Sequence, residues 1–148
     1  MYSIEEFDEQ KTKIMKYIVY KRRTEQEVRT KFASTIDENM LEDIIEYLKE
    51  AGYLNDNEYI ERAINNFKSL KNLSLFEVKN KLYAKGISRD DIDDYFYDNS
   101  EELNEYERQS ARNIIYKKQR EMDLEEIKQY LLKKGYKYDN INSAVEEE

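Results

Sequence analysis

Apolar side chains recur at helical spacing along almost the whole chain. Leu41, Ile44, Ile45 and Leu48 fall on one helix face, as do Ile92, Tyr95 and Phe96, because residues three and four apart stack along an α-helix. Polar signals mark where helices begin. Thr24-Glu25-Gln26-Glu27 and Ser74-Leu75-Phe76-Glu77 match the capping box. There a hydroxyl accepts from the N3 amide while the N3 glutamate reaches back to the cap amide. Asp123-Leu124-Glu125-Glu126 uses an aspartate as the cap, an equally good acceptor.

These caps lie 50 and 49 residues apart, and their surroundings repeat with them. Four residues after each stands Val28, Val78 or Ile127, and eight after stands Phe32, Leu82 or Leu131. Seven before each stands an aromatic, Tyr17, Phe67 or Tyr116, placed to pack from the preceding helix onto that stripe. Lys85-Gly86-Ile87 parallels Lys134-Gly135-Tyr136, and Ile92 parallels Ile141. A glycine behind basic residues is a helix stop. The first copy has Ala33-Ser34-Thr35-Ile36 instead and is one residue shorter.

The pattern predicts an all-α fold of three tandem three-helix repeats, stacked into an elongated, curved array. The repeats occupy 1–55, 56–99 and 100–148. Their helices are expected near 5–22, 24–33 and 37–51, then 56–72, 74–85 and 88–98, then 100–121, 123–134 and 137–147. Gly52-Tyr53-Leu54-Asn55-Asp56 ends one helix and caps the next. At about 20 Å per repeat the array would extend on the order of 60 Å.

Composition supports this picture. The 148 residues include no proline and only three glycines, so chain breakers are scarce. The hydrophobic fraction of 39% suits several thin cores better than one large one. There is no cysteine, which fits a reducing compartment. The acidic N-terminus lacks a signal-peptide core, and no apolar run approaches a membrane span. A cytoplasmic monomer is expected.

Net charge is −8, but the charge is sorted by helix. Residues 11–33 carry +6, 34–60 carry −7, 61–89 carry +5, 90–107 carry −9 and 108–120 carry +5. First and second helices are thus basic, and third helices acidic. Cations also recur at fixed offsets. Three residues before each cap is Lys21, Lys71 or Arg120; five after is Arg29, Lys79 or Lys128; seven after is Lys31, Lys81 and then Tyr130. Equal offsets would build a cationic stripe able to attract a polyanion despite the net charge, since screening limits each charge to roughly 8–10 Å. The competing expectation is that basic and acidic helices simply pair across neighbouring units, giving a solvated surface.

The segment 22–32, the run Tyr47-Leu48-Lys49-Glu50-Ala51-Gly52-Tyr53-Leu54-Asn55-Asp56-Asn57-Glu58-Tyr59, Glu77–Ile87 and Tyr130-Leu131-Leu132-Lys133-Lys134-Gly135-Tyr136 resemble, in order and spacing, the RecX regulatory proteins of bacterial recombination. The resemblance runs from about Lys13 to Val145. It implies an array of three-helix repeats that binds the RecA recombinase filament on single-stranded DNA, along its groove. It also implies restraint of filament growth, ATP hydrolysis, strand exchange and the co-protease role, and so a place in DNA repair and the SOS response. No catalytic site and no cofactor come with it. The contact candidates are Lys21, Arg23, Arg29, Lys71, Lys79, Lys81, Lys85, Arg120 and Lys128, with direct DNA contact expected to be weak because the chain is acidic. Two alternatives stand beside this: a helix-turn-helix-like DNA-binding module, and a helical-repeat adaptor for an unrelated protein.

Enzyme chemistry has little to work with. Histidine is absent, and with it the usual neutral-pH acid–base group and any Ser-His or Cys-His nucleophile. No phosphate-cradling G-x-x-x-x-G-K run exists. Counting from Asp90 as a calcium loop puts Tyr95 where glycine is needed, although Glu101 fits the twelfth position. A capped, solvated helix face explains that acidic run better. The fourteen tyrosines are assigned mainly to packing rather than base stacking.

Overall fold

The computed structural model describes residues 2–70 and 72–146. Among these the chain forms nine α-helices and no strand. They are α1 Ile4–Tyr20, α2 Glu25–Phe32, α3 Glu38–Glu50, α4 Asp56–Leu70, α5 Leu75–Ala84, α6 Arg89–Asp98, α7 Ser100–Lys118, α8 Leu124–Lys133 and α9 Tyr138–Glu146. No described helix is long and apolar enough to cross a membrane.

The caps explain the starts. Thr24, Ser74 and Asp123 all form complete capping boxes, with Glu27, Glu77 and Glu126 reaching back. Asp37 and Ser88 cap α3 and α6 through their side chains. The Asn55 side chain accepts from the Glu58 amide at the start of α4. Gly86 and Gly135 follow α5 and α8 with φ of 86° and 95°, a left-handed geometry in which a β-carbon would be strained.

Three hydrophobic clusters follow the chain. The first joins Ile14, Val28, Leu41, Ile44, Ile45 and Leu48. The second joins Ile60, Ile64, Val78, Leu82 and Ile92 with Leu103 and Tyr106. The third joins Ala111, Ile114, Ile115, Ile127, Leu131 and Ile141. The helix α7 therefore serves two cores, its first half completing the second cluster and its last half the third.

One packing expectation fails. Tyr17 stacks edge-on against Phe32 at 5.6 Å between ring centroids, and Phe67 packs on the second cluster, but Tyr116 is 68% exposed. The reason is helical phase. At the position ten residues before the cap, Ile14 and Ile64 are buried, whereas the third copy has Asn113 there and buries Ile114 and Ile115 instead. A shift of one residue turns a helix face by about 100°, which carries Tyr116 into solvent.

Successive repeats meet through one recurring contact. The Thr24 hydroxyl, fully buried, donates to the Lys85 carbonyl at 2.6 Å. The Ser74 hydroxyl, also fully buried, donates to the Lys134 carbonyl at 2.7 Å. The glycine next to each accepting carbonyl lies against the earlier repeat: a β-carbon on Gly86 would come within 2.4 Å of Gln26, and one on Gly135 within 2.7 Å of Phe76. Asp123 has no hydroxyl to donate, and Ala33-Ser34 has no glycine.

Candidate interaction surface

The cations separate by offset. Those five residues after each cap all hold acids. Arg29 forks onto Glu42 of α3, with Nη2 to Oε1 at 2.7 Å, and also reaches Glu25 at 3.2 Å. The Glu42 hydrogen bond raises the already high Arg29 pKa, and the Arg29 guanidinium in return lowers that of Glu42. Lys79 meets Asp93 of α6 at 3.6 Å, with its ammonium 4.8 Å from the centre of the Phe96 ring. Lys128 turns instead to Glu125 on its own helix at 3.7 Å. Aligning Leu41, Ile92 and Ile141 puts Glu42, Asp93 and Asn142 in one position, so the third repeat has no acid there for Lys128. Arg29 and Lys79 thus pair with acids of the third helices, but inside their own repeats rather than across neighbouring ones.

The other offsets stay open to solvent. Lys21, Lys31, Lys81, Lys85 and Arg120 are exposed and make no ion pair among the described residues. Lys21 lies in a cleft with Arg22, Tyr59 and Arg62 between the end of α1 and α4, where Arg22 itself pairs with Glu58 at 2.8 Å. Arg23 is half-buried. Its guanidinium lies 3.9 Å from the Tyr17 ring centre, and its Nε donates to the Tyr17 carbonyl at 3.5 Å. The Lys31 ammonium approaches the same ring at 5.8 Å. Lys31 and Lys85 line one cleft between repeats 1 and 2, with Tyr17 and Gln26. The structure therefore brings Arg23, Lys31 and Lys85 together around Tyr17, while Arg120 stands alone past the end of α7. Lys71 lies outside the described residues.

Exposed apolar side chains accompany these cations. Val19 and Tyr20 precede Lys21, and Leu70 and Tyr116 occupy the ends of α4 and α7. The ends of the long first helices thus present apolar groups in all three repeats, next to a cation in repeats 1 and 3. Lys31 was not among the residues singled out from sequence. Its offset, shared with Lys81, was the available signal.

No protein-family model matches the chain. It is 30% identical over 148 residues to "Regulatory protein RecX" of Clostridium perfringens (strain 13 / Type A), covering 95% of this chain and 69% of that protein. It is 26% identical over 139 residues to the protein of that name from Clostridioides difficile (strain 630), covering 91% and 66%. A third relative, from Staphylococcus carnosus (strain TM300), is 27% identical, and the chain spans 51% of its length. The chain thus spans from about half to two thirds of these relatives. In fold it is similar to the crystal structure of RecX from Lactobacillus salivarius, with a TM-score of 0.82 at 22% identity over 98% of this chain and 97% of the other.

Proposed function

The chain belongs to the RecX family of regulatory proteins, and on that premise we propose that it binds the RecA filament on single-stranded DNA and restrains its ATPase, recombinase and co-protease activities. It acts by binding, in the cytoplasm, as a monomer and without a cofactor. The observation that carries the reading is the set of solvent-facing cations at repeated offsets, Lys21, Lys81, Lys85 and Arg120, with exposed apolar groups beside Lys21 and Arg120. Charge gives attraction to a nucleoprotein polymer, and apolar anchors suit a protein surface more than a phosphate backbone. Arg23 is held on Tyr17 within the same surface, and Lys31 adds to it. Arg29 and Lys79 contribute through the pairs that orient α2 and α5 against α3 and α6, and Lys128 through its place on α8. Lys71 shares the offset of Lys21 and Arg120 and stays a candidate on its sequence position alone.

A helix-turn-helix reader offers the N-terminal turn of its second helix to base edges. The caps Thr24 and Ser74 are fully buried between repeats, so α2 and α5 do not have that end free. The test is RecA-dependent ATP hydrolysis on single-stranded DNA, titrated with this protein. Inhibition is expected. Reversing Lys81, Lys85 and Arg120 together to glutamate should abolish it while the helical circular dichroism is unchanged. A folded triple variant that inhibits as well as the parent would overturn the assignment.

A further inference from the structure

The two repeat junctions share their hydroxyl lock but differ in everything around it. Between repeats 2 and 3 the helix α7 packs against α5 and α6, and a buried polar network surrounds Ser74. Glu107, fully buried, accepts from the Leu75 amide at 2.7 Å through Oε2. Its Oε1 accepts from the Lys137 amide at 2.8 Å and from Asn140 Nδ2 at 2.9 Å. The Tyr106 hydroxyl donates to the Leu73 carbonyl at 2.8 Å, and Ser110 Oγ lies 2.6 Å from the Tyr136 hydroxyl. One helix, one satisfied carboxylate and two cores bind these repeats together.

Between repeats 1 and 2 no helix pair packs as extensively, and no helix is shared. The carboxylate that takes the role of Glu107 is Asp56, whose Oδ1 accepts from the Glu25 amide at 3.0 Å. It faces a polar cavity of about 280 Å³ lined by Glu25, Lys49, Leu54, Asn55, Asn57 and Asp91. Alignment of Ile92 with Ile141 puts Asp91 where repeat 3 has Asn140. The donor that satisfies Glu107 is thus replaced here by a second anion. Lys49, the cation of the cavity, is drawn to Glu25 at 3.5 Å, and Glu25 also holds Arg29. Burial pushes the Asp56 carboxyl up, against the pull of the amide it accepts. The Glu25 and Asp91 carboxylates add to the rise and Lys49 opposes it. Among the described residues no group of three carboxylates is placed to hold a metal ion.

We propose that repeats 2 and 3 move as one body, that the joint between repeats 1 and 2 is a hinge, and that a proton taken up by Asp56, which faces Glu25 of repeat 1 across the joint, tightens it. A proton from solvent on Asp56 removes its repulsion with the Glu25 carboxylate of repeat 1, while the carbonyl oxygen of the acid still accepts from the Glu25 amide. The sign follows from linkage. A carboxyl whose pKa is higher in the closed joint than in the open one favours closure as pH falls toward its ordinary value. The hinge requires no partner, so its fate is independent of the RecA assignment.

The chain contains no cysteine, which permits clean spin labelling. Glu46→Cys with Asp94→Cys spans the first junction, and Asp94→Cys with Gln129→Cys spans the second, all at exposed helix positions. Double electron–electron resonance should show a broad distance distribution across the first junction at about pH 7.5, narrowing as the pH is lowered toward the ordinary aspartate range. The second pair should be narrow throughout. Asp56→Asn should make the first pair narrow throughout. Asp91→Asn removes a carboxylate that raises Asp56; it should move the narrowing to lower pH, and it keeps the test should Asp56→Asn not fold. A first junction as narrow as the second at the higher pH overturns the hinge. A pH response that persists unchanged in either folded variant overturns the proton's role.

Discussion

The two junctions begin from the same device, a cap hydroxyl given to the next repeat's terminal carbonyl beside a left-handed glycine, and end with different strengths. The first has one amide on its carboxylate and an anion across from it. The second has a carboxylate with three donors inside a helix that serves two cores. The recurring lock sets register, and the surrounding burial sets rigidity.

The sharpest way to erase that difference is Glu107→Ala. It strands the Leu75 and Lys137 backbone amides and leaves the Asn140 amide only Asn104 Oδ1 as acceptor, and each stranded group costs about 1–3 kcal/mol. Urea unfolding should show a loss of about 3 kcal/mol or more, far beyond that of Asp56→Ala. Next come the glycines. Gly135→Ala combines positive φ with the Phe76 Cβ at 2.7 Å and its ring at 2.8 Å and should cost about 2–3 kcal/mol. Gly86→Ala meets Gln26 at Cβ and Cγ, 2.4 and 2.5 Å away and too close to the backbone to swing aside, and should cost at least as much. Gly52, also at positive φ, has nothing within 4 Å, and its alanine variant should lose only about 1 kcal/mol in the same measurement. The smallest effects belong to the caps. Ser74→Ala and Thr24→Ala each lose a cap and a junction bond, about 1–2 kcal/mol, against about 1 kcal/mol for Asp123→Ala, which loses a cap alone. Equal costs for all three would mean the hydroxyl lock contributes nothing.

Much of the fold was legible because its signals are local. A cap needs only one residue and its neighbour three along, so the starts of α2, α5 and α8 followed from spacing. Tyr116 misled because a fixed offset from a cap says nothing about a one-residue shift in helix phase. Gly86 and Gly135 were legible as stops but not as seats for Gln26 and Phe76, which lie some 60 residues away in sequence. Glu107 looked like one more acid in a run of nine. Its spacing from Leu103, Ser110, Ala111 and Ile114, all buried, was the available clue that it faces inward. The cation offsets were visible, but whether each finds an acid depends on the facing helix, as Glu42, Asp93 and Asn142 show.

Because α7 is committed at one end to Leu103 and Tyr106 and at the other to Ala111, Ile114 and Ile115, its length is fixed by two cores at once. One residue inserted between them would rotate the third core against the second by about 100° and advance it by about 1.5 Å. The segment 51–55 serves one core only, through Leu54, with the Tyr53 and Leu54 amides on the Leu48 carbonyl. A change of length there displaces a single core, whereas within α7 it sets two against each other.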